Sequence, residues 1–136
     1  MNKEIEMFSH IMIGTDDIQR SKSFYDSVLA AIGVKESVDN VNDTGQKRFF
    51  YFHNGSTFCL TEPINGEPVS SANGSTIGFA CESPEQVIEF HSVAIANGAT
   101  SIEGPPGLRD NSTGKKHLCY FLDLDGHKIC GMYRCK

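Results

Sequence analysis

What this chain lacks narrows its function before anything it contains does. It has no tryptophan and no run of lysine and arginine, and its 12 basic against 17 acidic residues leave a formal charge of -5. A phosphate backbone or an anionic membrane surface needs clustered positive charge, so neither is an expected partner. No apolar run approaches the roughly 18 residues of a membrane span, and the start MNKEIEM has no apolar stretch of the secretory kind, which sets the expectation of a cytoplasmic protein. Cysteine is present but unpatterned: Cys59, Cys81, Cys119, Cys130 and Cys135 are odd in number, widely spaced and without a CxxC pair. Neither a disulfide framework nor a zinc knuckle follows from that spacing, and the five read as free thiols. At 136 residues, 39% of them hydrophobic, the chain is long enough for one globular domain over 1–136. Its expected partners are a small molecule and a second copy of itself, a homodimer.

The chain also repeats itself. HIMIGTDDIQRSKSFYDSVLAA, from His10, lies over TIGFACESPEQVIEFHSVAIAN, from Thr76, without gaps: an apolar strand, a capping turn and an apolar helix appear in both. The first helix is predicted over about 16–32, capped at Asp16 or Asp17, with Gln19 completing a loose capping box and Gly33 ending it. The second is predicted over 84–97, with Ser83 as cap, Pro84 at its first turn and Gly98 beyond its end. Each helix leads to a hairpin, one turning at Asn54-Gly55 and one at Asp125-Gly126, dipeptides that favour left-handed backbone. The predicted class is α+β, two βαβββ modules at 7–62 and 75–135, joined by the Pro-, Gly- and Ser-rich linker 63–74.

SHIMIGTDDIQRSKSFYDSVLAAIGV, GFACESPEQVIEFHSVAIANGA, GPPGLR and YFLDLDGHKI together resemble the vicinal oxygen chelate superfamily, which includes glyoxalase I, bleomycin-resistance proteins and extradiol dioxygenases. The most specific pieces are the D-x-x-x-S-x-x-FY helix start and the D-x-D-G-x-x-I hairpin, in which Leu124 replaces the usual proline. The resemblance implies tandem βαβββ modules whose curved mixed sheets enclose a pocket, with helices outside and dimerisation commonly closing it. It also implies up to four metal ligands, one from the first and one from the last strand of each module, holding a Lewis-acidic ion that chelates neighbouring substrate oxygens. Under the internal repeat those positions are His10, Cys59, Thr76 and Cys130. His10 keeps the expected residue type and the other three depart from it. No cofactor is therefore expected, and a divalent metal would find a degenerate ligand set.

Hairpin pairing predicts which side chains accompany these four. With two- or four-residue turns, opposite residues share a face, so Cys59 should sit with Arg48, Phe50, Phe52, Thr57 and Thr61. Cys130 should sit with His117, Cys119, Phe121, Lys128 and Met132; an odd-length loop would reverse this parity. The expected pocket thus gathers His10, Thr76, His117, three thiols, Arg48 and aromatic rings, a mostly apolar lining with a few polar groups. GPPG at 104–107 could form a rim from which Arg109 holds an anion, or a stiff surface turn. Three functions fit. One is a glyoxalase-like lyase or isomerase, or a dioxygenase relative, with His10 or His117 as acid/base and Cys130 as thiolate. Another is a ligand-sequestering protein of the drug-resistance type. The third is a thiol or soft-metal site taking zinc or copper. The reading adopted is a metal-poor small-molecule pocket with inert, buried cysteines.

Overall fold

The computed structural model describes residues 7–136. The first module runs β1 (Ile11–Gly14), α1 (Ile18–Ala30), β2 (Val38–Val41), β3 (Lys47–His53) and β4 (Ser56–Thr61). The second repeats it as β5 (Ile77–Ala80), α2 (Pro84–Ala96), β6 (Thr100–Asn111), β7 (Gly114–Leu122) and β8 (Lys128–Arg134). Each module builds one open four-stranded sheet, sheet A in the order β1-β4-β3-β2 and sheet B in the order β5-β8-β7-β6. The β1–β4 and β5–β8 pairs are parallel and the others antiparallel, so both sheets are mixed, in the tandem βαβββ arrangement expected.

Local chemistry sets the helix ends. Asp17 is the cap of α1, its Oδ1 accepting the Arg20 N–H at 3.1 Å. Ser83 Oγ accepts the Gln86 N–H at 3.1 Å, while Gln86 Oε1 reaches back to the Glu82 N–H at 2.7 Å. Beyond the C-termini, Gly33 (φ +86°) and Gly98 (φ +103°) take the left-handed turn that lets the following amides reach Leu29 and Ala94 carbonyls.

The two hairpins differ, and the difference moves side chains between faces. Asn54 (φ +48°) and Gly55 (φ +84°) form a two-residue turn between the paired His53 and Ser56. Arg48, Phe50 and Phe52 accordingly lie opposite Thr61, Cys59 and Thr57, as predicted. In the second hairpin the last pair is Leu122↔Lys128, leaving the five residues 123–127 as the loop. Asp123 organises it: its Oδ1 accepts the Asp125 and His127 N–H groups at 3.0 and 2.9 Å, and its own N–H donates to the His127 carbonyl. An odd loop reverses the parity. His117, Cys119 and Phe121 therefore lie on the helix-covered face, against expectation, and the neighbours of Cys130 on its own face are Tyr120, Leu118, Lys128, Met132 and Gly78. Phe121 is fully buried against Phe24 and Phe90, Cys119 is buried in the core, and the His117 ring faces Tyr133.

The helix-covered faces of both sheets share one core. Phe24 of α1 meets Phe121 of β7 with ring centroids 6.2 Å apart, and Phe58 of β4 meets Phe79 of β5 edge-on at 5.1 Å. Polar bonds across the modules are concentrated at the 123–127 loop. Tyr25 Oη donates to Asp123 Oδ2 at 2.6 Å, with both groups buried. Ser21 Oγ donates to Asp125 Oδ2 at 3.0 Å, and the Asp16 N–H donates to Asp125 Oδ1 at 3.1 Å. His127 Nε2 lies 2.7 Å from the Gly14 carbonyl, which can only accept, so Nε2 carries the proton.

Two outcomes follow for stability. Tyr25→Phe leaves the buried Asp123 Oδ2 without its donor and should cost about 2 kcal/mol in urea unfolding, the usual penalty for orphaning a buried charged acceptor. Tyr25 and Tyr51 both have pKa values raised, first by burial and then by Asp123 and Asp26 respectively. An unfolded phenol ionises near 10.0 while the folded one stays protonated. Their contribution is therefore complete below pH 10 and declines as pH rises above it. Alkaline unfolding at pH 9 to 12 should show that decline and lose part of it in Tyr51→Phe; an unchanged profile would contradict the assignment.

Candidate functional site

Each module places one first-strand and one last-strand residue of the expected set on a common face. Met12 pairs with Cys59, so alternation carries His10, two residues earlier, to the Cys59 side. Gly78 pairs with Cys130 and carries Thr76 likewise. These are the open faces, turned away from the helices. Between the two edge strands β1 and β5 lies a cavity of about 550 Å³, and it brings His10 and Thr76 to one space. Its walls are largely apolar, with Ile11, Ile32, Phe58, Ile77 and Phe79, and its polar groups include His53, Thr57 and Glu82. Cys59, Cys130, Arg48, Phe50, Phe52 and Met132 belong to the open faces beyond the cavity wall, and His117, Cys119 and Phe121 to the helix side. His10 is exposed, with Nδ1 2.7 Å from the Ser9 hydroxyl.

The open face of sheet A is aromatic. Phe50 and Phe52 stack with centroids 6.2 Å apart; Phe52 remains 58% exposed, and Val38, opposite Phe50, 55%. Arg48 is directed along the sheet, its Nε donating to Thr61 Oγ1 at 3.1 Å. The open face of sheet B is mixed, with Leu118, Cys130 and Met132 beside a polar group of residues. Lys128 pairs with Glu103 and holds its ammonium 4.8 Å from the centre of the Tyr120 ring. The anion-holding role considered for Arg109 is not what its geometry provides. Its guanidinium donates to the Glu103 and Pro105 carbonyls at 3.2 and 3.1 Å, bracing the GPPG stretch, which is an irregularity within β6 and not a free surface turn. Glu103 and Tyr120 are the residues that sequence reasoning missed. Gly104 after Glu103 was the available signal for a bulge, and an odd second loop would have turned Tyr120 toward Cys130.

Burial disfavours the thiolate form of the cysteines. Burial pushes the Cys59 thiol up despite nearby Arg48, and it pushes Cys130 up despite a hydrogen bond with Tyr120 and the charge of Lys128. Burial also takes Cys81 to about 11 and Cys119 to about 12. Thiols held in the protonated form are slow nucleophiles. Among the described residues no group of three or more His, Cys, Asp or Glu is placed to hold a metal ion. A hard divalent ion needs oxygen and nitrogen donors, and one imidazole, a threonine hydroxyl and two protonated thiols do not fit it.

Residues 7–130 match the family model described as the Glyoxalase/Bleomycin resistance protein/Dioxygenase superfamily. Among solved structures, the chain is 48% identical to a glyoxalase/bleomycin resistance protein from Albidiferax ferrireducens, over 95% of this chain and 100% of that one, with a TM-score of 0.87. It is 21% identical to the fosfomycin resistance protein FosX from Listeria monocytogenes, over 97% and 96% of the two chains, with a TM-score of 0.71. A glyoxalase/bleomycin resistance protein/dioxygenase family enzyme from Burkholderia phytofirmans is 17% identical, over 93% and 98%, at a TM-score of 0.68. At the two lower identities the likeness is one of fold.

On native protein at neutral pH, iodoacetamide should modify Cys59, Cys81, Cys119 and Cys130 slowly, after the more accessible Cys135. Cys130→Ala should cost about 1 to 2 kcal/mol in unfolding, as a small buried truncation. Rapid modification of Cys59 or Cys130, followed residue by residue, would overturn the inert assignment.

Proposed function

The chain belongs to the glyoxalase/bleomycin resistance protein/dioxygenase superfamily, and we propose that it serves there as a small-molecule-binding protein working without a resident divalent metal. The observation that carries this reading is the pairing of a largely apolar 550 Å³ cavity with a ligand set reduced to His10. A cavity of that size, with few polar groups, suits a drug-sized amphiphilic molecule. Acid/base chemistry in the cavity would draw on His10, His53 or Glu82, and not on His117, which lies on the helix side of sheet B. In this reading a second copy covers the aromatic open face of sheet A. Val38 and Phe52 leave apolar surface in water there, which is the character of an association surface.

A thermal-shift screen of amphiphilic aromatic compounds should find several that raise the melting temperature at micromolar concentration. Thr76→Trp, which fills the cavity from an exposed position, should remove the shifts. Sedimentation at micromolar concentration should give a dimer, and Phe52→Glu a monomer. No shift with any compound class, or equal shifts in Thr76→Trp, would contradict the cavity reading; a monomeric wild type would contradict the pairing.

A further inference from the structure

The most elaborately built polar cluster outside the cavity lies on the open face of sheet B. β6 pairs regularly with β7 as far as Ile102↔Tyr120, breaks, and resumes at Gly107↔Leu118. Alternation from Ser101, whose hydroxyl meets His91 of α2 at 2.9 Å, would return Glu103 to that same helix-covered face. Instead Glu103 adopts φ +56° and Gly104 φ +81°. The left-handed region is uncommon for a residue with a side chain, and bulges of this kind re-aim side chains next to sites. The Glu103 carboxylate is thereby delivered to the opposite face, where it pairs with Lys128. Arg109 braces the bulge through the Glu103 and Pro105 carbonyls.

The strain has no adequate return in the ion pair itself. The Lys128 and Glu103 side chains are 31% and 49% exposed, and a pair that wet contributes little to stability. What the arrangement does is occupy a cation that is otherwise ready for use. The Lys128 ammonium is held over the Tyr120 ring, and Tyr120, Cys130 and Gly78 form one row across the sheet. At Gly78, which also lines the cavity, an added Cβ would meet nothing within 4 Å. The cation and the phenol thus share a face with Gly78, which lines the cavity and leaves open space before it.

We propose that Lys128 and Tyr120 form a binding site for the oxyanion group of a small ligand, a carboxylate or a phosphate, and that Glu103 is a built-in stand-in anion occupying it until the ligand arrives. The proposal rests on the small-molecule reading and adds a charged end to the ligand, whose apolar part would lie in the cavity.

The test is a titration of the whole chain with inorganic phosphate and, separately, with acetate, following the backbone amides of Tyr120 and Lys128 by NMR. Saturable shifts are expected with one of the two ions, which identifies the oxyanion preferred. Glu103→Gln, and independently Glu103→Gly, should bind that ion about fivefold more tightly, as expected when a competitor filling most of the site is removed. Lys128→Met should abolish the response. Equal or weaker binding in both Glu103 variants, or wild-type binding in Lys128→Met, would overturn the proposal. If apolar compounds still stabilise the protein while neither ion moves these amides, this proposal fails and the cavity reading stands; if neither class binds, both fail.

Discussion

The hydrogen bond from Tyr25 to Asp123, with Ser21 on Asp125 and His127 on Gly14 around it, ties the second module's last hairpin into the first module's β1–α1 turn. Each partner is polar and most are out of solvent, so none can be left unmatched without a penalty, and the match exists in one relative placement of the modules. The cluster adds directional bonds to the apolar packing between the modules. By fixing β5 relative to β1 it also fixes the gap between the two edge strands, which is the cavity. The loop that joins the halves therefore sets the dimensions of the candidate site.

The same loop decides how much was legible beforehand. Asp17, Ser83, Pro84, Gly33 and Gly98 act on neighbours three to five residues away, and Asn54-Gly55 is a two-residue turn by its own backbone preference. Those elements could be read from the sequence because their causes are local. Asp125-Gly126 carries a similar turn signal, but Asp123 accepts two loop amides with Oδ1 and Tyr25 with Oδ2, and the loop takes five residues in consequence. Asp123 closes the loop through residues two and four positions on, but the Asp125-Gly126 dipeptide reads as a two-residue turn, so the parity of sheet B was misread. His117, Cys119 and Phe121 crossed to the helix side for that reason alone. Glu103 escaped notice similarly, since its left-handed backbone is held by Arg109 from further along β6.

At the candidate site, the resemblance identified the positions and the residues there define a different chemistry. His10 and Thr76 do share a space, and Cys59 and Cys130 occupy matching points of the two sheets. Burial keeps both thiols protonated, and each is flanked by rings and aliphatic groups: Phe50 beside one, Tyr120 and Met132 near the other. The family frame is retained, while Cys59 and Cys130 are packed among these neighbours. The nearest ion pair on the Cys130 face is the one between Lys128 and Glu103.

The most direct measurement of this account is the metal content and Mn(II) affinity of the purified, unmodified chain, by elemental analysis and calorimetric titration. The account predicts no stoichiometric metal and no saturable Mn(II) binding at micromolar protein. One equivalent of bound ion per chain, lost in both His10→Ala and Cys130→Ala, would show that these positions still form a metal centre and would contradict it.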